Sequence, residues 1–390
     1  MTAVTVPNEW VMETHLPVRF TIKNSPGLLT KQNRDLLEFG SQGPTARRFV
    51  VIDRHICQFY LPQVIEYFRA HGVEAHILAI NATENDKNLE SLLEILRELE
   101  KFGILRRDEP LIAIGGGVLL DIAGMAAGMY RRGIPYIRVP TTLVGLVDAS
   151  VGAKTGINFE NRRNRLGSYY PPIAAYLDKA FLRTLEPVEI SSGLGEILKM
   201  AVVKDARLFS LLEESGPSLV ENKFEHSEHA DEIINRAVIG MKDELQDNLW
   251  EKNLERFVDF GHSFSPIIEM RSINEKDQVP LTHGQAVALD VLFSCVLSTA
   301  RNLMPQAELM RVARVAKSLG LPTNHALFNV PLIILEALKD TMKHRNGAQN
   351  LPFPVKIGES VFVNDLSYEE IQKAVPILKS IRSDLLAGAA

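Results

Sequence analysis

The residues best suited to chemistry in this chain are concentrated between positions 111 and 172. Gly115, Gly116 and Gly117 follow a short apolar run and precede a helical pattern. Because glycine has no Cβ, the backbone here can approach a ligand closely, and the amino end of the following helix offers unpaired N–H groups to a phosphate. A tight turn without a ligand is the alternative, since the spacing differs from the G-x-G-x-x-G dinucleotide fingerprint.

Polar residues downstream favour a nucleotide and an anionic substrate at this place. Asp121 lies one turn into the predicted helix, and the hydroxyl pair Thr141-Thr142 ends a second apolar strand. Asp148, Lys154 and the basic run at residues 163–165 come next. Hydroxyls and an acid suit a nucleotide, whereas lysine, arginine and asparagine suit an anion.

Three residues of the second half have the side chains of a catalytic metal site. Glu196 stands three positions before Lys199 on one predicted helical face, while His262 and His283 each stand singly. One carboxylate and two neutral imidazoles leave a coordination position open, as catalytic zinc sites do. The three form no short-range H-E-x-x-H motif, so histidines that only hydrogen-bond at helix ends are the alternative.

The elements that must position these residues alternate between strand and helix up to about residue 185. Buried strands are predicted near residues 48–52, 75–80, 111–114 and 136–139, with helices at 57–71, 89–102 and 118–129. This alternation indicates a parallel sheet with helices on both faces, and Asp53 ends the first central strand, where such sheets bind ligands. From residue 186 helical periodicity dominates. We therefore predict a Rossmann-like α/β domain over residues 1–185 and an all-α domain over residues 186–390.

Composition excludes several classes of function. The formal charge of -5 argues against nucleic-acid binding, so the basic clusters are predicted to bind small anions. Cys57 and Cys295 show neither a zinc-ribbon nor a disulfide spacing, which suits a reducing compartment. No run of eighteen apolar residues and no basic leader is present, so a cytoplasmic protein that does not enter membranes is expected.

Several segments resemble the sugar phosphate cyclases, the family that includes dehydroquinate synthase. GGGVLLDIAG, RVPTTL, VDASVGAKTGIN and NRLGSYYPP are similar to that family's signatures and stand in its order. GLGEILKMA, VDFGHSFSP and LTHGQAVALD resemble its three metal-ligand segments. The resemblance extends from about Val50 to Asn364. It implies a carbon–oxygen lyase that eliminates phosphate, with NAD and with Zn²⁺, or alternatively Co²⁺, held by Glu196, His262 and His283.

The same resemblance implies roles for individual residues. Cofactor contacts are expected from Asp53, Glu84, Lys87, Gly115, Gly116, Gly117, Val118, Asp121, Thr141, Thr142, Asp148, Lys154, Arg163, Phe181, Thr184, Leu185 and Glu189. Catalytic roles are expected for Lys154, Lys199, Lys242, Asp148, Asp259 and His344, and contacts to substrate or phosphate for Arg132, Asn164, Arg163, Lys343 and Arg345. Arg132 would reach into a neighbouring subunit, which implies a homodimer. From the residues alone, Glu84 and Lys87 would form a solvated surface pair.

Departures from dehydroquinate synthase indicate the branch of the family. Glu255 and Asp259 stand where that enzyme has an arginine for the substrate carboxylate and an asparagine, and Pro266 replaces a second histidine. A glutamate would repel a carboxylate, so the resemblance implies a neutral-ended substrate, sedoheptulose 7-phosphate. Asp259 with His344 resembles the branch that makes 2-epi-5-epi-valiolone. The alternatives are a sister cyclase that makes 2-epi-valiolone, desmethyl-4-deoxygadusol or 3-dehydroquinate, and a metal-dependent polyol dehydrogenase with a similar glycine loop.

Overall fold

The computed structural model describes residues 9–43, 45–160 and 162–387, so the outermost ends of the two predicted domains lie outside the described residues. The strands are β1 (Thr21–Asn24), β2 (Arg47–Asp53), β3 (Glu74–Ile80), β4 (Leu111–Gly115), β5 (Tyr136–Pro140), β6 (Lys154–Phe159), β7 (Arg162–Tyr169), β8 (Ala174–Leu177), β9 (Leu351–Lys356) and β10 (Glu359–Val363). The α-helices are α1 (Cys57–Ala70), α2 (Leu89–Phe102), α3 (Gly117–Met129), α4 (Pro187–Val203), α5 (Ala206–Glu221), α6 (Ala230–Leu245), α7 (Ser265–Asn274), α8 (His283–Ala300), α9 (Gln306–Ser318), α10 (Pro331–His344) and α11 (Tyr368–Ala387).

Six parallel strands form the sheet of the first half, in the order β1-β8-β5-β4-β2-β3. Strands β2 and β4 are neighbours, with Ile52 opposite Ile114. The chain continues from β2 to β3 toward one edge of the sheet, and from β4 to β5 toward the other edge. A crevice opens at such a reversal of strand order, beyond the carboxyl ends of the strands. Asp53 and the Gly115–Gly117 turn therefore lie at the edge of the sheet where a nucleotide would bind.

Both faces of this sheet are covered because successive strand residues point in opposite directions. In β2, Phe49 and Val51 pack with α2 and α3, whereas Val50 and Ile52 pack with α1 on the other face. All four side chains are fully buried. A strand that is buried on both sides has a continuous apolar sequence rather than an alternating one, as Phe49 to Ile52 does.

The second half is mainly helical and is built around α8. This helix is long and apolar enough to cross a membrane, but 78% of the stretch is buried inside the protein, so its apolar surface is already covered by neighbouring helices. The apolar core also takes in Leu143, Leu146 and Val147 from the connection after β5, as well as Leu182 and Leu185. The two halves consequently share a packed boundary.

The α/β and helical halves confirm the predicted fold class, with two hairpins in addition. The second half is not all helical, because β9 and β10 form an antiparallel hairpin against α8. Prolines at 352 and 354 concealed β9, and they are tolerated because this ribbon has only two strands. The antiparallel β6–β7 hairpin was also missed, since β7 is largely exposed and polar.

Candidate active site

The glycine turn between β4 and α3 brings backbone close to its neighbours. A Cβ on Gly115 would lie 2.5 Å from a methyl carbon of Leu119, and one on Gly116 would lie 3.0 Å from Cγ2 of Thr142. Larger residues at these positions would therefore displace the turn. Thr142 Oγ1 accepts the Gly145 N–H at 3.1 Å, which fixes the start of the next turn. The amino end of α3 offers unpaired N–H groups of the kind that bind a pyrophosphate.

Acidic and amide side chains near this turn gather around one buried lysine. Lys87 is 2% exposed, and its Nζ donates to Asp121 Oδ2 and to Asn164 Oδ1, both at 2.6 Å. The surface pair of Glu84 with Lys87 is not formed. Glu84 instead accepts from Asn158 Nδ2 at 2.8 Å. Burial raises the pKa of Asp53, at the end of the neighbouring strand β2.

The loop that carries Asp148 and Lys154 is shaped by Arg138, which the sequence prediction missed. Arg138 lies in β5 with no exposed surface, and its guanidinium donates to the carbonyls of Ala149, Gly152 and Lys154 at 2.7, 2.5 and 3.0 Å. A π-helical turn at Gly145–Ala149 contains Asp148. Such turns are frequent at functional sites. An arginine within an apolar strand was the available signal, because a buried charge requires several acceptors.

Glu196, His262 and His283 lie far apart in sequence but meet in space, and we call this group of three side chains the convergence. Their ligand atoms all lie within 4.8 Å of one another. Glu196 Oε1 is 3.0 Å from His283 Nε2 and 3.6 Å from His262 Nε2. Neither oxygen of this buried carboxylate has a partner at good hydrogen-bond geometry, although Lys199 Nζ is 2.5 Å from Oε2. One oxygen and two nitrogens meeting around a carboxylate with unused lone pairs fit a divalent transition-metal ion.

A close crossing of α4 and α8 brings two of these ligands together. A Cβ on Gly195 would lie 2.2 Å from the carbonyl oxygen of Gly284, and one on Gly284 would lie 1.7 Å from that of Ser192. Glu196 and His283 are the direct chain neighbours of these two glycines. The Gly284 N–H also donates to Ser192 Oγ at 3.0 Å. Backbone contact at this crossing therefore sets the distance between the two ligands.

The charges around these ligands shift their pKa values in different directions. Burial lowers the pKa of His262 to about 3, so its imidazole is neutral. For His283 burial acts in the same direction, but the charge of Glu269 outweighs it and the pKa rises to about 9. Burial, and then the charge of Glu196, raise the pKa of Asp148. Asp148 therefore lies within electrostatic reach of the convergence. A metal ion would compete with the proton on His283.

Two buried acids behind the histidines were not predicted. Glu269 on α7 has its Oε2 3.0 Å from His283 Nδ1. Asp290 on α8 accepts the N–H groups of Phe264 and Ser265 at 2.6 and 2.8 Å, which anchors the segment just after His262. Each acid stands alone in an apolar helical run, and that was the signal in the sequence. The groups that these two acids contact could not be identified from the sequence.

A second charged cluster surrounds Asp259. Arg256 donates to both of its oxygens at 2.7 and 2.8 Å, and Arg345 Nη2 lies 3.5 Å away. Burial raises the pKa of Asp259, but these guanidinium groups outweigh it and hold the pKa low. Glu251 also contacts Arg256, and it lies 2.5 Å from Lys154 Nζ. Lys154 and Asp259 are thus joined through two residues, Glu251 and Arg256, that the prediction did not include.

Glu255 makes no side-chain hydrogen bond or ion pair with the cluster around Asp259 among the described residues. Its side chain is exposed, and its backbone N–H donates to Asn253 Oδ1 at 3.0 Å. The acids that contact the cluster are Glu251 and Asp259. The expectation that Glu255 repels a substrate carboxylate stays a prediction. A left-handed backbone at Glu251, with φ of 51°, turns this short loop and was not visible as a sequence pattern.

Other predicted residues lie away from the convergence or have structural partners. Arg345 donates to the carbonyls of Gln349 and Asn350, and Glu189 accepts the Glu186 N–H at the start of α4. Phe181 and Leu185 are core residues, Thr184 Oγ1 contacts Tyr60, and Val118 is the second residue of α3. Thr141 is buried and its N–H donates to the carbonyl of Gly115.

Three residues expected to act on the substrate or its phosphate lie at the surface or have other partners. Lys343 is exposed, Lys242 pairs with Asp243, and His344 Nε2 lies 3.0 Å from Arg165.

Family models match most of the chain: 3-dehydroquinate synthase N-terminal over residues 77–192 and 3-dehydroquinate synthase C-terminal over residues 193–344. A 2-epi-5-epi-valiolone synthase of Streptomyces albus is 44% identical over 95% of this chain and 91% of its own length. A 3-dehydroquinate synthase of Prochlorococcus marinus is 31% identical over 89% of this chain and 93% of its own.

Solved structures of sugar phosphate cyclases are also similar to this chain. ValA, the 2-epi-5-epi-valiolone synthase of Streptomyces hygroscopicus, was solved with NAD⁺ and Zn²⁺ bound. It matches with a TM-score of 0.89 at 44% identity, over 95% of this chain and 99% of that one. A 2-deoxy-scyllo-inosose synthase, at 21% identity and a TM-score of 0.74 over 91% of this chain and 96% of its own, shares the fold.

Proposed function

Because the chain belongs to the 3-dehydroquinate synthase family of sugar phosphate cyclases, we propose that it converts sedoheptulose 7-phosphate into 2-epi-5-epi-valiolone and phosphate. The observation that carries this proposal is the meeting of Glu196, His262 and His283, from the helical half, beside the loop of Asp148 and Lys154 from the nucleotide half. The net reaction removes the elements of phosphoric acid and leaves the oxidation level unchanged. The enzyme would thus be a carbon–oxygen lyase.

The proposed cofactors are NAD and Zn²⁺, the pair named for ValA. When bound, NAD would take a hydride from the sugar and later return it, while the ion would polarise the hydroxyl that is oxidised. Glu196, His262 and His283 would hold the ion. The turn at Gly115–Gly117 and the amino end of α3 would hold the pyrophosphate.

Cations of this chain would stabilise the departing phosphate. The Lys154 side chain is mostly exposed and its Nζ pairs with Glu251, so it can reorient toward a substrate anion. Lys199 is buried, and burial alone would lower the pKa of its ammonium group. The charges of Glu196 and Asp148 outweigh burial and raise that pKa, so Lys199 remains a proton donor beside the proposed metal ligands.

Charge balance around Asp259 favours a substrate with a neutral end. Arg256 is 12% exposed and already faces two carboxylates, Glu251 and Asp259, while Arg345 faces Asp259 and two carbonyls. A substrate carboxylate would find no free guanidinium in this cluster and would meet two acids instead. The charges around Asp259 therefore favour a neutral-ended substrate independently of Glu255.

The test is incubation of the protein with NAD, Zn²⁺ and sedoheptulose 7-phosphate, with phosphate release and product structure followed by NMR. Equal amounts of phosphate and 2-epi-5-epi-valiolone are expected, without net accumulation of NADH. An isomeric or unsaturated cyclitol would identify a sister cyclase instead. Net NADH with a polyol would identify a dehydrogenase, and absence of phosphate release would contradict the cyclase assignment.

We also propose a homodimer in which Arg132 enters the neighbouring subunit's site. The support is local: Arg132 lies just after α3 with φ of 62°, is exposed, and has no polar partner among the described residues. Mixing inactive Arg132→Ala subunits with inactive Glu196→Gln subunits should restore activity, because a mixed dimer contains one intact site. No recovery in dimers shown to be mixed would contradict the shared site.

A further inference from the structure

We propose that Glu269 is a positioning residue for the metal site, which orients His283 so that its Nε2 faces the ion. This inference rests on the metal centre of the proposed function. Glu269 lies on α7 and is 2% exposed. It is not among the residues that the family resemblance implied, and no ligand atom of the convergence belongs to it.

The two ring nitrogens of His283 have different partners. Nδ1 is 3.0 Å from Glu269 Oε2, whereas Nε2 is 3.0 Å from Glu196 Oε1 on the other side of the ring. A hydrogen on Nδ1 that is donated to the Glu269 carboxylate leaves the lone pair on Nε2. That tautomer is the one a metal ion needs at this position.

Arg163 fixes the carboxylate in turn. Its Nη1 contacts the same Glu269 Oε2 and lies 2.9 Å from His283 Nδ1. Guanidinium and protonated Nδ1 are both donors, so the shared carboxylate oxygen is the acceptor that brings them together. Arg163 Nε is also 3.2 Å from Glu84 Oε1. A buried carboxylate needs such a counter-charge, and here the counter-charge comes from the nucleotide half of the chain.

His262 provides an internal contrast, since its Nδ1 lies 3.3 Å from the backbone carbonyl of Phe260 rather than near an acid. Removing the Glu269 carboxylate should consequently loosen one imidazole and leave the other in place. The expected result is a weakened metal site that still forms.

The experiment is a Zn²⁺ titration of the full chain in competition with a chromophoric chelator, without substrate or NAD. Glu269→Gln keeps the size of the side chain and removes its charge. Its Zn²⁺ affinity should fall about 10- to 100-fold, the usual effect of losing an outer partner of a ligand histidine. Glu275→Gln is the matched control, because Glu275 directly follows α7, is exposed and pairs only at 3.7 Å with Arg271. The control should bind Zn²⁺ as the wild-type protein does.

A second variant separates orientation from misfolding around an uncompensated Arg163. In Arg163→Met with Glu269→Gln the buried charge is balanced again, but His283 still lacks its carboxylate. If orientation matters, Zn²⁺ affinity stays low and the Co²⁺-loaded protein shows an altered visible absorption spectrum. Recovery of wild-type affinity in the double variant would assign the effect to charge balance and overturn the inference.

The Zn²⁺ titration distinguishes an error in the role of Glu269 from an error in the metal centre. Wild-type affinity in Glu269→Gln overturns the positioning role and leaves the metal centre and the cyclase activity intact. Absence of Zn²⁺ binding by the wild-type protein contradicts the metal centre itself, and the positioning role is rejected with it. Phosphate release by protein that contains no divalent ion would also contradict the metal centre, this time through an activity measurement.

Discussion

Replacement of Gly195 by alanine should damage the metal site by separating two helices. The new Cβ would lie 2.2 Å from the carbonyl oxygen of Gly284, whereas ordinary contact begins at 3.4 Å, so α4 and α8 must move apart by about 1 Å. Overpacking costs roughly 1–3 kcal/mol, and alanine recovers about 1 kcal/mol through its helix propensity. We expect a net loss of about 0–2 kcal/mol in the free energy of unfolding.

The effect on metal binding should be larger than the effect on stability. Metal–ligand distances tolerate deviations of only about 0.2 Å, so a shift of about 1 Å between Glu196 and His283 exceeds what the site can absorb. Zn²⁺ affinity of Gly195→Ala should fall more than tenfold. Urea unfolding and chelator competition measure the two quantities on the same protein.

Gly240→Ala is the control for this prediction. Gly240 is also a helix-interior glycine, but its new Cβ would meet only the flexible end of Met200, at 3.3 Å. Its Zn²⁺ affinity should be unchanged and its stability equal or higher by up to about 1 kcal/mol. Wild-type stability together with wild-type Zn²⁺ affinity in Gly195→Ala would refute the reasoning that the close crossing positions the ligands.

Two further predictions concern buried charges outside the convergence. Burial raises the pKa of Asp290 to about 6, above its unfolded value of about 4, so stability should fall as pH rises from about 4 to 6. Asp290→Asn should remove about 2–3 kcal/mol of this pH dependence, and an unchanged dependence in urea unfolding would contradict it. Arg138→Met should cost about 3 kcal/mol or more, because it takes the guanidinium donor away from the carbonyls of Ala149, Gly152 and Lys154. Measurable phosphate release should be lost with the loop of Asp148 and Lys154, and an active variant would show that another contact shapes that loop.

Most elements could be predicted from the sequence because their signals are local. The helix at residues 89–102 has the predicted bounds, since apolar spacing and end residues act within a few turns. The continuous apolar runs identified strands buried on both faces. The three proposed metal ligands were recognised by resemblance, and the structure brings them together. The β9–β10 hairpin was missed because prolines obscured its pattern.

Charge partners are a different matter, because they join residues that are distant in sequence. Lys87 could be read as a surface residue until the fold placed it between Asp121 and Asn164. Glu251 contacts the cluster around Lys154 and Glu255 does not, although the two stand in one short loop.

The sequence by itself determined the alternating elements, the glycine turn and the types of side chain available for chemistry. Tertiary structure alone decided which of those side chains meet. The distance between Glu196 and His283 depends on the approach of α4 and α8, and the orientation of His283 on the packing of α7 beside β7. Local patterns fix backbone conformation over a few residues, whereas the rotation and separation of packed helices depend on every contact in the core.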